Sequence, residues 1–366
     1  MNKEVTLRQI TFMYLFISLS PIIRQIPTAL AGEAGRSGYL SPLWSLIAVI
    51  PLTAIIILLM KSFPGLNIYE IMIQLLGKFL AKIFIFIYLL WILLAIAAKV
   101  NAYSFTLQFT LMPQTKPSFF YIMMSILVFY ALLRGAKTVF RFSEFTLSSI
   151  LLLFLIILVS SLSKLRTGYL LPISTTHIVP TVMASKNVIA VGGNIIIALF
   201  FADKLGILVT KSEFRKLWSG VFVFTAITFL ITLFTFGITG ADLTANLPFP
   251  FYIMVKSISF FNIFERFEVI VTIISVMSDF IAICIFSFLL LRCFGWLFDL
   301  KDNNILAIPL IMIVFYLAYY ISSTQFEFNF LYRNIIIYLN MIFQFLIPFF
   351  LAFICLLRRK KIKKQY

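Results

Sequence analysis

IFIFIYLLWILLAIAA, residues 83–98, carries no charge, and ILAIPLIMIVFYLAYYI at 305–321 repeats the pattern far along the chain. Each run approaches the roughly 20 apolar residues that cross a bilayer. Around them, the 366 residues are 62% hydrophobic and 12% charged, with mean hydropathy +1.07. Soluble domains run at about 45–50% apolar and 25% charged. A water-soluble globular enzyme is excluded, and the chain reads as an all-α polytopic membrane protein. Lys and Arg total 30 against 13 acidic residues, net +17. This excess does not indicate nucleic acid, because a groove-binding surface needs its basic residues clustered on a soluble face. Here they sit in short loops and a basic tail.

Runs bounded by charges, Pro and Gly give ten expected spans, at about 6–30, 42–60, 83–110, 119–133, 145–162, 187–209, 217–239, 267–291, 305–321 and 335–357. The first contains Pro21, Arg24 and Pro27 and is too long for the apolar core of a cleaved leader, so it reads as a span. The largest connections, at 31–41, 61–82, 163–186 and 240–266, leave no room for a soluble domain. Residues 1–366 therefore form one membrane domain. With the N-terminus inside, twenty Lys and Arg fall on the cytoplasmic side and eight on the outer side. That bias supports an even number of spans with both ends cytoplasmic, the tail at 358–366 resting against anionic lipid.

Cys284, Cys293 and Cys355 share no outer loop and read as free thiols. The only histidine, His177, falls in an outer loop. No nucleophile–base arrangement, phosphate-cradling loop or metal-ligand spacing is present, so neither an enzyme nor a cofactor is expected.

Ten spans divide into five plus five, and an odd-numbered set inserted twice yields halves of opposite orientation, an inverted repeat. The first repeat spans about 6–162 and the second about 187–357. In such folds substrate sites form where the first helix of each half is broken. Span 1 carries Ser20-Pro21 and Pro27, predicting a break near 18–21. Span 6 carries Gly192-Gly193-Asn194 within VIAVGGNIII, and each glycine weakens a helix by about 1 kcal/mol relative to Ala. The plainer reading is that Pro and Gly only allow close packing of membrane helices.

Pro21, Lys99, Asn194 and Asp279 lie about 7 to 12 residues in from the outer ends, roughly 10–18 Å at 1.5 Å per residue. All four fit one layer. Ionisable groups at that depth cost ~2.5–3.5 kcal/mol on insertion scales and normally face a cavity or one another. Two readings follow for Lys99 and Asp279: they hold the carboxylate and ammonium of a small zwitterion, or they pair with each other and hold nothing. Arg24 either lines an outer vestibule or snorkels to the headgroups. Asn101, Tyr103 and Ser104 are candidates to line the same path. Glu265, Glu268 and Asp203 read as interfacial.

Four stretches carry a resemblance: VTLRQITFMYLF (5–16), AGEAGRSGYLSPL (31–43), FPGLNIYEIMIQLLGKFLAKI (63–83) and above all NLPFPFYIMVKSISFFNIFERFEVIV (246–271). Together they resemble the GerAB-type spore germination permease family, the B subunits of nutrient germinant receptors. Tyr39 stands where that family commonly has Trp, which keeps an interfacial aromatic. The resemblance implies a ten-helix fold of the amino acid–polyamine–organocation superfamily, the LeuT-like fold with helices 1 and 6 broken. It also implies the inner membrane of a bacterial endospore, an A-type membrane subunit and a C-type lipoprotein as partners, and a nutrient ligand, commonly an amino acid. No motif of the family points to Lys99 or Asp279. On the residues alone, the candidate ligand-binding set is Ser20, Pro21, Lys99, Gly192, Gly193, Asn194 and Asp279. The competing classes are an ion-coupled amino acid transporter and a non-binding scaffold.

Overall fold

The computed structural model describes residues 5–171, 175–205, 211–257, 267–300 and 306–358. Glu265, Lys301 and the tail beyond Arg358 lie outside the described residues. Helices connected by short turns make up the fold, and no strand occurs among the described residues.

Helix α1 (Leu7–Arg24) opens on a reciprocal cap. The Gln9 N–H donates to Thr6 Oγ1 at 3.3 Å while Thr6 N–H donates to Gln9 Oε1 at 3.0 Å, satisfying donors a helix start leaves unpaired. The helix continues through Pro21 and stops at Gln25, where α2 (Ile26–Ala34) begins. The expected break at 18–21 thus falls one turn later. Pro27 accounts for the shift, since it has no N–H for the Ile23 carbonyl and crowds that turn. A tight 3₁₀ turn leads to α3 (Ser41–Ser62), followed by α4 (Ile68–Leu76), α5 (Lys78–Thr110), α6 (Pro117–Arg134) and α7 (Ala136–Ser161). The α6–α7 reversal is made at Gly135, whose φ of +85° suits a residue without Cβ.

The second half comprises α8 (Ile178–Gly192), α9 (Ile197–Phe200), α10 (Lys211–Thr239), α11 (Ala241–Asn246), α12 (Pro250–Lys256), α13 (Phe267–Phe298) and α14 (Ala307–Ile321). Gly193–Ile196 form a 3₁₀ segment between α8 and α9, so helix 6 tightens at its glycine pair while the chain stays helical. The last stretch joins α15 (Gln325–Leu331), α16 (Ile337–Met341) and α17 (Ile347–Leu357) through π-helical turns at Tyr332–Ile336 and Ile342–Leu346.

Eight stretches are long and apolar enough to cross a membrane: 26–62, 78–110, 117–134, 136–164, 178–200, 212–239, 267–298 and 325–357. Of the ten expected spans, those at α1 and at α14, which has 15 residues, fall outside this set. At about 1.5 Å per residue, the 33 residues of α5 extend ~50 Å, beyond the ~30 Å hydrocarbon core. Large apolar side chains face outward, with Phe145 80% and Phe326 82% exposed. Such a surface is stable against lipid and not against water, so the molecule is a multi-pass integral membrane protein.

Two segments are enclosed by the others. In α1, Ile10, Met13, Phe16 and Ile17 are fully buried, and so are residues 195–200 around α9. Helix α1 packs on α7, α10 and α13, while α13 packs most extensively on α5. The interrupted helices are therefore the central ones, and their polar residues meet each other rather than lipid.

Candidate functional site

At the centre, Asp279 of α13 is 1% exposed and faces α1. Its partner is Arg24, itself 3% exposed. Arg24 Nη1 donates to Asp279 Oδ2 at 2.7 Å and Nη2 to Oδ1 at 2.9 Å, while Ser20 Oγ donates to Oδ1 at 2.7 Å. Arg24 Nη1 also donates to Thr106 Oγ1 at 2.6 Å and to the Ala102 carbonyl at 3.0 Å, both on α5. One fork therefore ties three helices together. Planar guanidinium suits this task, because its donors match a carboxylate two at a time. The neighbouring Ser278 hydroxyl accepts from the Ser20 N–H at 3.0 Å and donates to the Phe16 carbonyl. Those two main-chain groups are the pair an ideal helix joins, so Ser278 bridges one rung of α1.

Of the two readings for Lys99 and Asp279, the direct pair is not formed. Asp279 already spends its oxygens on Arg24 and Ser20, and among the described residues no carboxylate is within ion-pair distance of Lys99. Its Nζ lies instead 5.2 Å from the centroid of the Phe286 ring, a contact worth roughly 0.5–2 kcal/mol depending on desolvation. Arg24 does not snorkel to the headgroups: it is buried against Asp279, and it also lines a crevice of the kind the vestibule reading describes.

Lys99 borders a cavity of about 50 Å³, measured as the space open to the centre of a water molecule. At about 10–15 Å³ per water, it takes roughly three to five waters, or a small organic solute. Space arises on α5 from Ala95, Ala98 and Ala102, which line it beside Lys99 and share a helix face by their three- and four-residue spacing. Pro21 and Gln25 close one side, Asn194 and Phe286 another, and Tyr332 and Asn340 the third. Gln25 Oε1 and Arg24 Nε are buried without a hydrogen-bond partner, and orphaned buried polar atoms of this kind require an explanation.

Of the seven residues expected at the site, Pro21, Lys99 and Asn194 line the cavity. Ser20 and Asp279 form the adjoining ion-pair centre. Gly192 and Gly193 do not reach the cavity and serve close packing: a Cβ at Gly192 would meet Val49 and Phe224, and one at Gly193 would meet Gln344 and Phe345. Gln344, fully buried in the second π-helical turn, donates to Asn194 Oδ1 at 3.0 Å. Asn101 turns away, donating to the Ala318 carbonyl at 2.9 Å and accepting from the Tyr121 hydroxyl. Tyr103 and Ser104 do not line the cavity either.

Gln25, Phe286, Tyr332 and Asn340 had no distinguishing signal in the sequence, since aromatic and amide residues occur throughout. Arg24 did have one, a charge inside an apolar run. A crevice of about 30 Å³, on the side that the Lys and Arg distribution predicts to face outward, shares Arg24, Gln25, Phe328 and Tyr332 with the inner cavity and is edged by Pro248 and Phe249. The Leu-Pro-Phe-Pro stretch therefore sits at its mouth, where Thr28 Oγ1 donates to the Leu247 carbonyl at 3.0 Å.

Toward the opposite end of α13, Asp203 is paired with Arg292 at 2.5 Å, and Phe201 and Trp296 flank the guanidinium at 5.2 and 5.0 Å. Asp203 thus anchors the end of helix 6 to α13 rather than lying free at an interface. Just past α13, a hydrogen bond from Lys82 at 3.0 Å holds the Asp299 carboxyl below the usual carboxylate range. The three cysteines are buried and free. His177 Nδ1 is 2.8 Å from Ser37 Oγ. No cluster of metal-ligating side chains occurs among the described residues.

A bundle of membrane helices around a small polar cavity beside an interrupted central helix has the form of a multi-pass membrane protein of permease or receptor type. A family model described as spore germination protein matches residues 4–327, and the chain belongs to that family. Among curated proteins, none matches significantly. The family is of permease or receptor type and is not a known enzyme family.

Proposed function

We propose that this chain is the ligand-sensing B subunit of a spore nutrient germinant receptor. In this reading it has ten membrane helices in a five-plus-five LeuT-like arrangement and lies in the endospore inner membrane with both ends cytoplasmic. An amino acid or similarly small nutrient enters by the outer crevice and occupies the cavity beside Lys99. Binding shifts a transporter-like conformational equilibrium, and A-type and C-type partner subunits read out the shift.

The observation that carries this reading is the unpaired ammonium of Lys99 on a cavity that also presents Gln25 Oε1 as a free acceptor. A carboxylate finds its counter-charge at Lys99. Since Asp279 is taken, the ligand ammonium is accepted by Gln25. The alternative, an ion-coupled amino acid transporter, draws on the lining residues that the crevice and the inner cavity share.

The experiment is optical-density loss of spores lacking this chain, across a panel of amino acids and sugars, alongside nutrient uptake by growing cells. The receptor reading requires that germination to particular nutrients be abolished while uptake stays intact. Normal germination with reduced uptake identifies a transporter instead.

A further inference from the structure

Between α1 and α13 the molecule has a polar centre that adjoins the cavity and shares Arg24 with its lining. Both Asp279 oxygens, the Thr106 hydroxyl and the Ala102 carbonyl accept from one cation there, the Ser20 hydroxyl donates to Asp279 Oδ1, and the Ser278 hydroxyl bridges the Ser20 N–H and the Phe16 carbonyl alongside. A carboxylate, hydroxyls and a main-chain carbonyl at an interrupted helix are the oxygen donors with which proteins hold a hard cation such as sodium inside a membrane. Here the cationic position is filled by the Arg24 guanidinium. It gives both Asp279 oxygens a hydrogen bond and is itself 3% exposed.

A guanidinium keeps its proton throughout the physiological range and is covalently tethered, so unlike a dissolved ion it neither leaves nor exchanges. Lys99, the other cation nearby, faces the cavity and does not share the carboxylate.

We propose that Arg24 is a built-in cation that permanently occupies an oxygen-lined cation site between α1 and α13. The chain consequently recognises its ligand and keeps these helices joined without a coupling sodium ion and without a proton on Asp279. This inference does not rest on the germinant reading, because it concerns the Arg24–Asp279 pair and is read without any nutrient.

The test uses the full chain in lipid nanodiscs, with thermal unfolding followed by tryptophan fluorescence in sodium, potassium or choline chloride, and with retention of radiolabelled sodium. The native protein is expected to melt at the same temperature in all three salts and to retain no sodium. The Arg24→Ala variant, which vacates the guanidinium position, is expected to retain sodium stoichiometrically. Its melting temperature should rise with millimolar sodium or guanidinium and not with choline. An Arg24→Ala protein that folds only when one of these two ions is present supports the proposal equally. The Arg24→Ala/Asp279→Asn double variant should fold and ignore all four cations.

Sodium binding by the native chain overturns the proposal. So does a folded Arg24→Ala variant indifferent to both small cations, an Arg24→Ala variant that fails in every salt while the double variant folds, or a cation response in the double variant.

Discussion

Asp279 has two buried cations within reach, and the molecule treats them differently. Arg24 approaches from α1 with a planar fork and takes both oxygens. Lys99 approaches from α5 and keeps its ammonium over the Phe286 ring at the cavity wall. Removing one partner of a buried, hydrogen-bonded pair leaves an uncompensated charge, a loss of about 3–5 kcal/mol. Arg24→Ala is therefore expected to destabilise the protein by about that amount in choline-based buffer, measured by thermal unfolding in detergent or nanodiscs. Lys99→Ala breaks no ion pair, so its protein level and unfolding temperature should stay near native while nutrient sensitivity falls. Undiminished germination in spores carrying Lys99→Ala at native protein levels would sink the assignment of this cavity to the ligand. Gln25→Leu removes an acceptor for a charged donor, worth about 1.5–3 kcal/mol. The nutrient concentration for half-maximal germination should rise roughly ten- to a hundredfold.

At the scale of elements, the glycine pair of helix 6 is a packing device. The tight 3₁₀ turn at Gly193–Ile196 meets the second π-helical turn of the last stretch, where Gln344 reaches Asn194. A methyl at Gly193 would press on Gln344 and Phe345. Gly193→Ala should cost about 1–3 kcal/mol, the usual penalty of overpacking. If Gln344 is the obstacle, a double-mutant cycle with Gln344→Ala will show coupling of about 0.5–3 kcal/mol, and strict additivity would place the strain on Phe345 alone. At the start of α1, Thr6→Ala removes the hydroxyl half of the reciprocal cap. The expected loss is about 1 kcal/mol in the same unfolding assay.

Across the whole molecule, the distribution of Lys and Arg sets the expected orientation. A single cysteine at Lys137 should react with a membrane-impermeant maleimide only from the cytoplasmic side, and one at His177 only from the outside. Cys284, Cys293 and Cys355 are buried and should give little background, because thiols enclosed in apolar surroundings are inert. Labelling of both positions from one side would contradict a membrane crossing by α7 between them.

The membrane class, the family and the neighbourhood of the helix interruptions were legible in the sequence, for local reasons. Apolar runs report on lipid residue by residue, and proline and glycine act on the turn they occupy. Even so, the interruption in helix 1 moved from 18–21 to Gln25, because two prolines act on overlapping turns and only the folded helix shows which one prevails. Ser20 was legible as part of a break but not as a donor to Asp279. The pairing of Asp279 was beyond the sequence, since Arg24 lies 255 residues away and which cation meets the carboxylate depends on the rotation and depth of α1 against α13. The same holds for Gly192 and Gly193, whose use was settled by the helices that came to lie against them. Sequence by itself determined which segments leave water and which residues carry charge into the bilayer. Tertiary structure alone decided which charges neutralise one another and which, like Lys99, border a cavity without a carboxylate partner, because an ion pair reaches only about 4 Å and that distance is set by helix packing.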